Sequence, residues 1–96
     1  MTKLTITATI IAKADCIDLV KSELEKVVAP SRKENGCINY DLHQDNQDPA
    51  HFFMFENWET RELWQAHLES AHFKQFATIT EGALENLAIH EMTQIV

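Results

Sequence analysis

The chain reads as an α+β domain of the ferredoxin-like, split β-α-β-β-α-β type, with both helical segments on one side of a four-stranded antiparallel sheet. Three observations predict this. Period-2 alternation of apolar residues near the N-terminus gives way to helical spacing, then to two further strand-like runs, a second helical stretch and a closing strand. Only 2 Gly and 2 Pro interrupt 96 residues, so most of the chain belongs in regular elements of a single domain, residues 1–96. The third strand carries large apolar side chains on both faces, so its sheet has no side left for water. A second copy of the sheet is the simplest cover, which gives a homodimeric α/β-barrel with helices outside.

The first strand is Leu4–Ala12. Leu4, Ile6, Ala8, Ile10 and Ala12 share one face, and Thr5, Thr7 and Thr9 share the other. Asp15 is the expected N-cap of a helix whose stripe is Ile17, Val20, Leu24, Val27 and Val28. Pro30 is expected to kink or end that helix near Ala29, with Gly36 at a position suited to a left-handed cap. A second strand spans about Cys37 to His43, with Ile38, Tyr40 and Leu42 on one face. A polar turn from Gln44 to Pro49 leads to the third strand, His51–Trp58. There Phe53 and Phe55 face one way, and Phe52, Met54 and Trp58 the other. Thr60 caps a second helix with Leu63, Trp64, His67 and Leu68 inward. Ser70 breaks it and caps a continuation through Phe73, Phe76 and Ala77, and Gly82 ends it. The last strand is expected at about Leu87–Ile95.

The formal net charge is −7, which argues against nucleic acid or an anionic membrane as a partner. The longest run of large apolar residues is Phe52–Phe55, far short of a membrane span, and Met1–Thr9 shows no signal-peptide pattern. The expected location is therefore the cytoplasm. There Cys16 and Cys37 stay reduced. Cys16 lies near a helix start, where a thiol pKa can fall, but part-buried structural thiols are the simpler reading.

The sequence holds no glycine-rich phosphate loop, no CxxC and no HExxH. His67 and His72 are five apart, the wrong spacing for two metal ligands on one continuous helix face, so no metal site is expected. His67 is the leading catalytic candidate because it lies on the inward stripe of the second helix. A core histidine tied by one hydrogen bond fits the same position. The functional reading is a base or donor in a cavity between sheet and helix, where a pKa near 6.5 suits proton exchange. Tyr40, Trp58 and Trp64 are expected to line that cavity and hold a flat ring, though an ordinary core would use them too. Phe53, Phe55 and His72 complete the expected substrate-binding set. Glu56, mid-strand between Phe55 and Asn57, needs a partner, either a structural hydrogen bond or a catalytic one.

These residues also form a string. Glu34-Asn35-Gly36-Cys37-Ile38-Asn39-Tyr40-Asp41-Leu42, Pro49, Phe53-Met54-Phe55-Glu56-Asn57-Trp58 and Ala66-His67-Leu68-Glu69-Ser70-Ala71-His72-Phe73 resemble the antibiotic biosynthesis monooxygenase family, nearest its small quinol-oxidising branch. The resemblance implies a dimeric ferredoxin-like barrel and oxygenation of electron-rich aromatics by O2 without metal, flavin or haem. It implies His67 as base or orienting donor, with Tyr40, Trp58 and Trp64 around the ring. Haem-degrading relatives place an iron-binding histidine where this chain has Ala77, a departure that argues against haem. Isomerisation or processing of a signalling metabolite on the same fold, and non-catalytic ligand binding by a dimer, are the competing functional classes.

Overall fold

A computed structural model describes residues 3–96. The elements run β1 (Leu4–Ala12), α1 (Ile17–Arg32), β2 (Cys37–Gln44), β3 (His51–Trp58), α2 (Arg61–Leu68), α3 (Ala71–Ile79) and β4 (Leu84–Met92). The strands form one sheet in the order β2-β3-β1-β4, with every neighbouring pair antiparallel. This is the expected ferredoxin-like arrangement, with its second helical segment divided in two at Ser70.

The core lies between the helices and one sheet face. Ile6, Ala8, Ile10 and Ala12 of β1 point into it, as do Phe52, Met54, Glu56 and Trp58 of β3. From α1, Val20, Leu24 and Val27 complete the layer. The opposite sheet face is less apolar than the sequence suggests. Thr5, Asn57, Asn39 and Asp41 form a polar ladder there: Thr5 Oγ1 donates to Asn57 Oδ1 at 2.6 Å, and Asn57 Nδ2 to Asn39 Oδ1 at 2.8 Å. Phe53 and half-exposed Phe55 supply its apolar part.

Four local expectations change. The α1 N-cap is Cys16, not Asp15, and no side chain caps it. Asp15 instead accepts from the Cys16 thiol at 3.4 Å, and that contact raises the Cys16 pKa rather than lowering it. Pro30 does not end α1, which runs on to Arg32. The proline lies in the last turn, where bonds from Lys33 N to Pro30 O (3.2 Å) and Glu34 N to Ser31 O (3.1 Å) tighten the helix. Ile38 does not share the Tyr40 face, because the β2–β3 register shifts between Cys37 and Asn39 and leaves Ile38 exposed. The last strand begins and ends three residues earlier than expected. Among the described residues no helix is long and apolar enough to cross a membrane.

Candidate active site

The site forms where α2 stops, α3 starts and the α1–β2 turn passes beneath them. Thr60 and Ser70 each cap a helix through their hydroxyls, accepting from Leu63 N and Phe73 N. Ser70 also donates to His67 O at 2.6 Å, which locks the break. Two short helices therefore meet at an angle that a continuous helix would not allow. His67 in the last turn of α2 and His72 in the first turn of α3 converge on one carboxylate, Glu34.

Glu34 follows the C-terminus of α1. An anion is unfavourable there against the helix dipole, so it needs a partner of its own. His67 Nδ1 and His72 Nε2 both lie 2.6 Å from Glu34 Oε2. A carboxylate only accepts, so both nitrogens carry protons and donate to it. In neutral His67 this leaves Nε2 as the unprotonated nitrogen. Nε2 lies 3.4 Å from the Tyr40 hydroxyl, which donates to it. Burial pushes the His67 pKa down, and the bond and charge of Glu34 oppose that shift. The ring is 1% exposed and packs against Trp58, Tyr40 and Phe73 at centroid distances of 5.0 to 5.2 Å.

Gly36 places Glu34. It adopts φ +86°, and a Cβ there would stand 2.8 Å from the Leu63 Cβ, so the turn and its approach to α2 both require glycine. Glu59 N donates to Gly36 O at 2.8 Å, and Arg32 Nε donates to Tyr40 O at 3.0 Å, which pins the turn to β3 and β2.

An apolar cavity of about 40 Å³ opens beside His67, lined among others by Ile6, Tyr40, Met54, Glu56 and Trp64. It has room for about one water molecule. Leu68, Phe73, Phe76, Leu87 and Ile89 separate it from a groove of about 460 Å³ that opens to solvent between α3 and β4. The helices leave Leu87 and Ile89 of β4 uncovered. A ring enters only if the shared side chains swing aside and join the two spaces.

Glu56 lies in the cavity wall, 4% exposed, and accepts from Trp58 Nε1 at 2.9 Å. Burial raises its pKa to about 7; the Trp58 bond opposes this and the Glu34 charge adds to it. Tyr40 is also driven up, mainly by burial. Ser31 Oγ is buried without a hydrogen-bond partner among the described residues. Cys37 is an unreactive thiol, pushed by burial to about 11.

Of the residues singled out from sequence, His67, Tyr40 and Trp64 meet at the cavity. Trp58 is fully buried and supports the His67 ring and Glu56 from below. His72 stands outside the cavity and binds Glu34. Phe53 and Phe55 lie on the opposite sheet face, since alternation along β3 points Phe52, Met54 and Glu56 inward. They are not brought near His67. The spacing argument against a histidine pair presumed a continuous helix, and the break at Ser70 removes that premise. Neither Glu34 nor Phe73 is among the site residues expected from sequence, although Phe73 lies on the helical stripe and both belong to the string that carries the resemblance. The signal for Glu34 was an acid just past a helix C-terminus, followed at once by a turn glycine.

The profile of the antibiotic biosynthesis monooxygenase family matches residues 4–78. The chain belongs to that family. A Bacillus subtilis protein named putative monooxygenase YcnE is 36% identical over 55 residues, 57% of this chain and 58% of that protein. The Synechocystis protein sll1783, uncharacterised, is 35% identical over 49 residues, 51% of this chain and 33% of its own length. The matched stretches thus span about a third to three fifths of these relatives. Among solved structures, PA3566 from Pseudomonas aeruginosa superposes with a TM-score of 0.95 at 38% identity, covering 100% of this chain and 97% of that one. Glu34, Tyr40, His67 and His72 all fall within the matched residues.

Proposed function

We propose that the protein is a cofactor-independent monooxygenase that uses O2 to oxidise small electron-rich aromatics of the quinol or polyphenol type. The observation that carries this reading is the buried His67 ring. Glu34 fixes its tautomer, and its bare Nε2 is turned toward an apolar cavity. The contact of Nε2 with Tyr40 is long, and a substrate hydroxyl can replace it.

In this reading His67 takes the proton of a ring hydroxyl. The phenolate is electron-rich enough to pass one electron to O2, and the radical pair joins at ring carbon to form a C–O bond. The O–O bond then breaks. One oxygen stays as a quinone carbonyl and the other leaves as water with two substrate hydrogens. The ring supplies all four electrons that O2 takes up, so no external reductant is needed. Apolar walls keep water from the radical pair and leave the anion for the base to stabilise. Trp64 and Tyr40 hold the ring face.

The working assembly in this reading is a homodimer joined through the sheet face that carries Phe53 and Phe55. Those two residues then act in the interface rather than at the substrate.

Oxygen consumption with a panel of dihydroxynaphthalenes and hydroquinones tests the proposal. Uptake above autoxidation is expected for the native chain, with a fall of about 10²-fold or more in His67→Ala. Autoxidation rates across the whole panel would overturn the oxygenase reading. Uptake unchanged in His67→Ala would remove that residue from its role.

A further inference from the structure

Glu34, His67 and His72 offer one ligand atom each, and the three atoms lie within 4.8 Å of one another. We propose that this trio binds a divalent transition-metal ion of the Zn²⁺ or Co²⁺ type, and that the ion switches His67 from proton acceptor to hydrogen-bond donor. The donor set is two imidazole nitrogens and one carboxylate oxygen, which suits borderline metals and leaves coordination positions for water. The three residues come from two helices and the turn after a third, and capped ends hold both helices. The site is thus assembled by the fold rather than by a local sequence motif.

The ion requires the two part-exposed ligands, Glu34 and His72, to adjust around His67. Both nitrogens sit 2.6 Å from Glu34 Oε2. Four-coordinate ligands at about 2.0–2.2 Å from a metal stand roughly 3.3 Å apart, so the carboxylate must withdraw by ~0.7 Å and His72 must swing toward His67, since the three atoms are held only within 4.8 Å of one another. Glu34 and His72 are part-exposed at 18% and 24%, which gives the ion an entry path and the carboxylate room to move. The fully buried partner, His67, need not move.

The consequence follows from imidazole chemistry. The metal takes the Nδ1 lone pair of His67, so the one proton of the neutral ring leaves Nδ1, where it had been donated to Glu34, and is carried on Nε2 instead. The Nε2 that faces Tyr40 and the cavity then becomes an N–H and no longer accepts a proton. Occupancy of the trio therefore competes with any base role of His67 from outside the cavity, without entering it.

The test needs no turnover, so its failure leaves the proposed oxygenase activity untouched. Metal-free protein is titrated with Co²⁺ and followed by its visible ligand-field absorption, for the native chain, His72→Ala, Glu34→Gln and a His90→Ala control on exposed β4. One saturating Co²⁺ per chain is expected, unchanged in His90→Ala. Loss of an outer partner of a metal ligand already costs about 10–100-fold in affinity, so loss of a direct ligand in His72→Ala should cost at least about 100-fold. His72 is part-exposed and outside the core cluster, and circular dichroism verifies that its variant folds. With Zn²⁺ and ¹⁵N-labelled histidine, His67 Nε2 should change from an unprotonated to a protonated nitrogen signal. No saturable band in the native chain, or equal bands in His72→Ala, overturns the site and leaves the trio a hydrogen-bonded cluster only. An unchanged His67 Nε2 signal in the zinc-loaded protein overturns the switch.

Discussion

Replacing Glu56 by Gln should make the protein more stable, but only where the acid would be charged. The side chain is 4% exposed and receives one hydrogen bond, from Trp58 Nε1 at 2.9 Å. An ionised carboxylate has about four lone-pair sites to satisfy, so one donor leaves most of the desolvation cost standing. That imbalance is why burial moves the pKa from 4.5 to about 7. The folded chain then holds the Glu56 proton more tightly than the unfolded chain. Between pH 4.5 and 7 the unfolded state has released a proton that the folded state keeps, so rising pH favours unfolding. The loss is complete once pH exceeds the folded value. The difference of 2.5 units at about 1.36 kcal/mol each amounts to about 3 kcal/mol. Gln keeps an oxygen for Trp58 and cannot ionise. Its amide N–H groups carry their own cost, which is the same at every pH and shows at the acidic plateau. Urea unfolding of both chains, followed by tryptophan fluorescence and circular dichroism at fixed concentration, measures the difference. The gain of Glu56→Gln over the native chain should grow by about 3 kcal/mol from pH ~4.5 to pH ~8. Parallel stability curves for the two chains across that range would refute the assignment of a desolvated, weakly partnered acid.

The other expectations concern the histidine line, its turn and the second sheet face. Gly36→Ala adds a Cβ 2.8 Å from that of Leu63 at φ +86°, and should cost about 2–4 kcal/mol in thermal or urea unfolding. Adding Leu63→Ala should not restore native stability, because the backbone strain and the contact with the residue 63 Cβ both remain; full recovery would show that only the outer atoms of Leu63 oppose the added Cβ. Burial lowers the His67 pKa, so the acid limb of kcat/KM for an oxidised quinol should fall below the ordinary histidine value of about 6.5. Glu34→Gln removes the group that opposes the shift and should move the limb lower still; an upward move would contradict the proposed pairing. Phe55→Asp together with Phe53→Asp places two charges on the proposed interface. Sedimentation should then report a particle of half the native mass with unchanged circular dichroism, whereas an unchanged mass would put the interface elsewhere.

What the sequence disclosed of this fold follows how far apart the interacting residues lie. The period-2 faces of β1 and β3 are local facts, and Ile6, Ala8, Phe52 and Met54 land in the core where alternation puts them. The caps at Thr60 and Ser70 are local too, because each hydroxyl bonds an amide three residues on. The candidate site is not local. Glu34 is separated from His67 by 33 residues and from His72 by 38, and its place between them depends on a glycine turn, a helix break and three elements packed around them. No short-range pattern encodes that meeting. Phe53 and Phe55 are misplaced for another reason, since size is weighed above the face that alternation gives them. Their size made them attractive ring contacts, yet the pleat that buries Phe52 and Met54 sends them to the other face. Size says that a residue wants cover, while only register says from which side. At Glu56 register and chemistry disagree: the pleat puts a carboxylate in the inward row between Met54 and Trp58, where an apolar side chain would serve stability better. A position that gives up about 3 kcal/mol at neutral pH and above, next to the cavity that holds His67, is the kind of place where a fold is expected to yield stability to a site, as the proposed function requires.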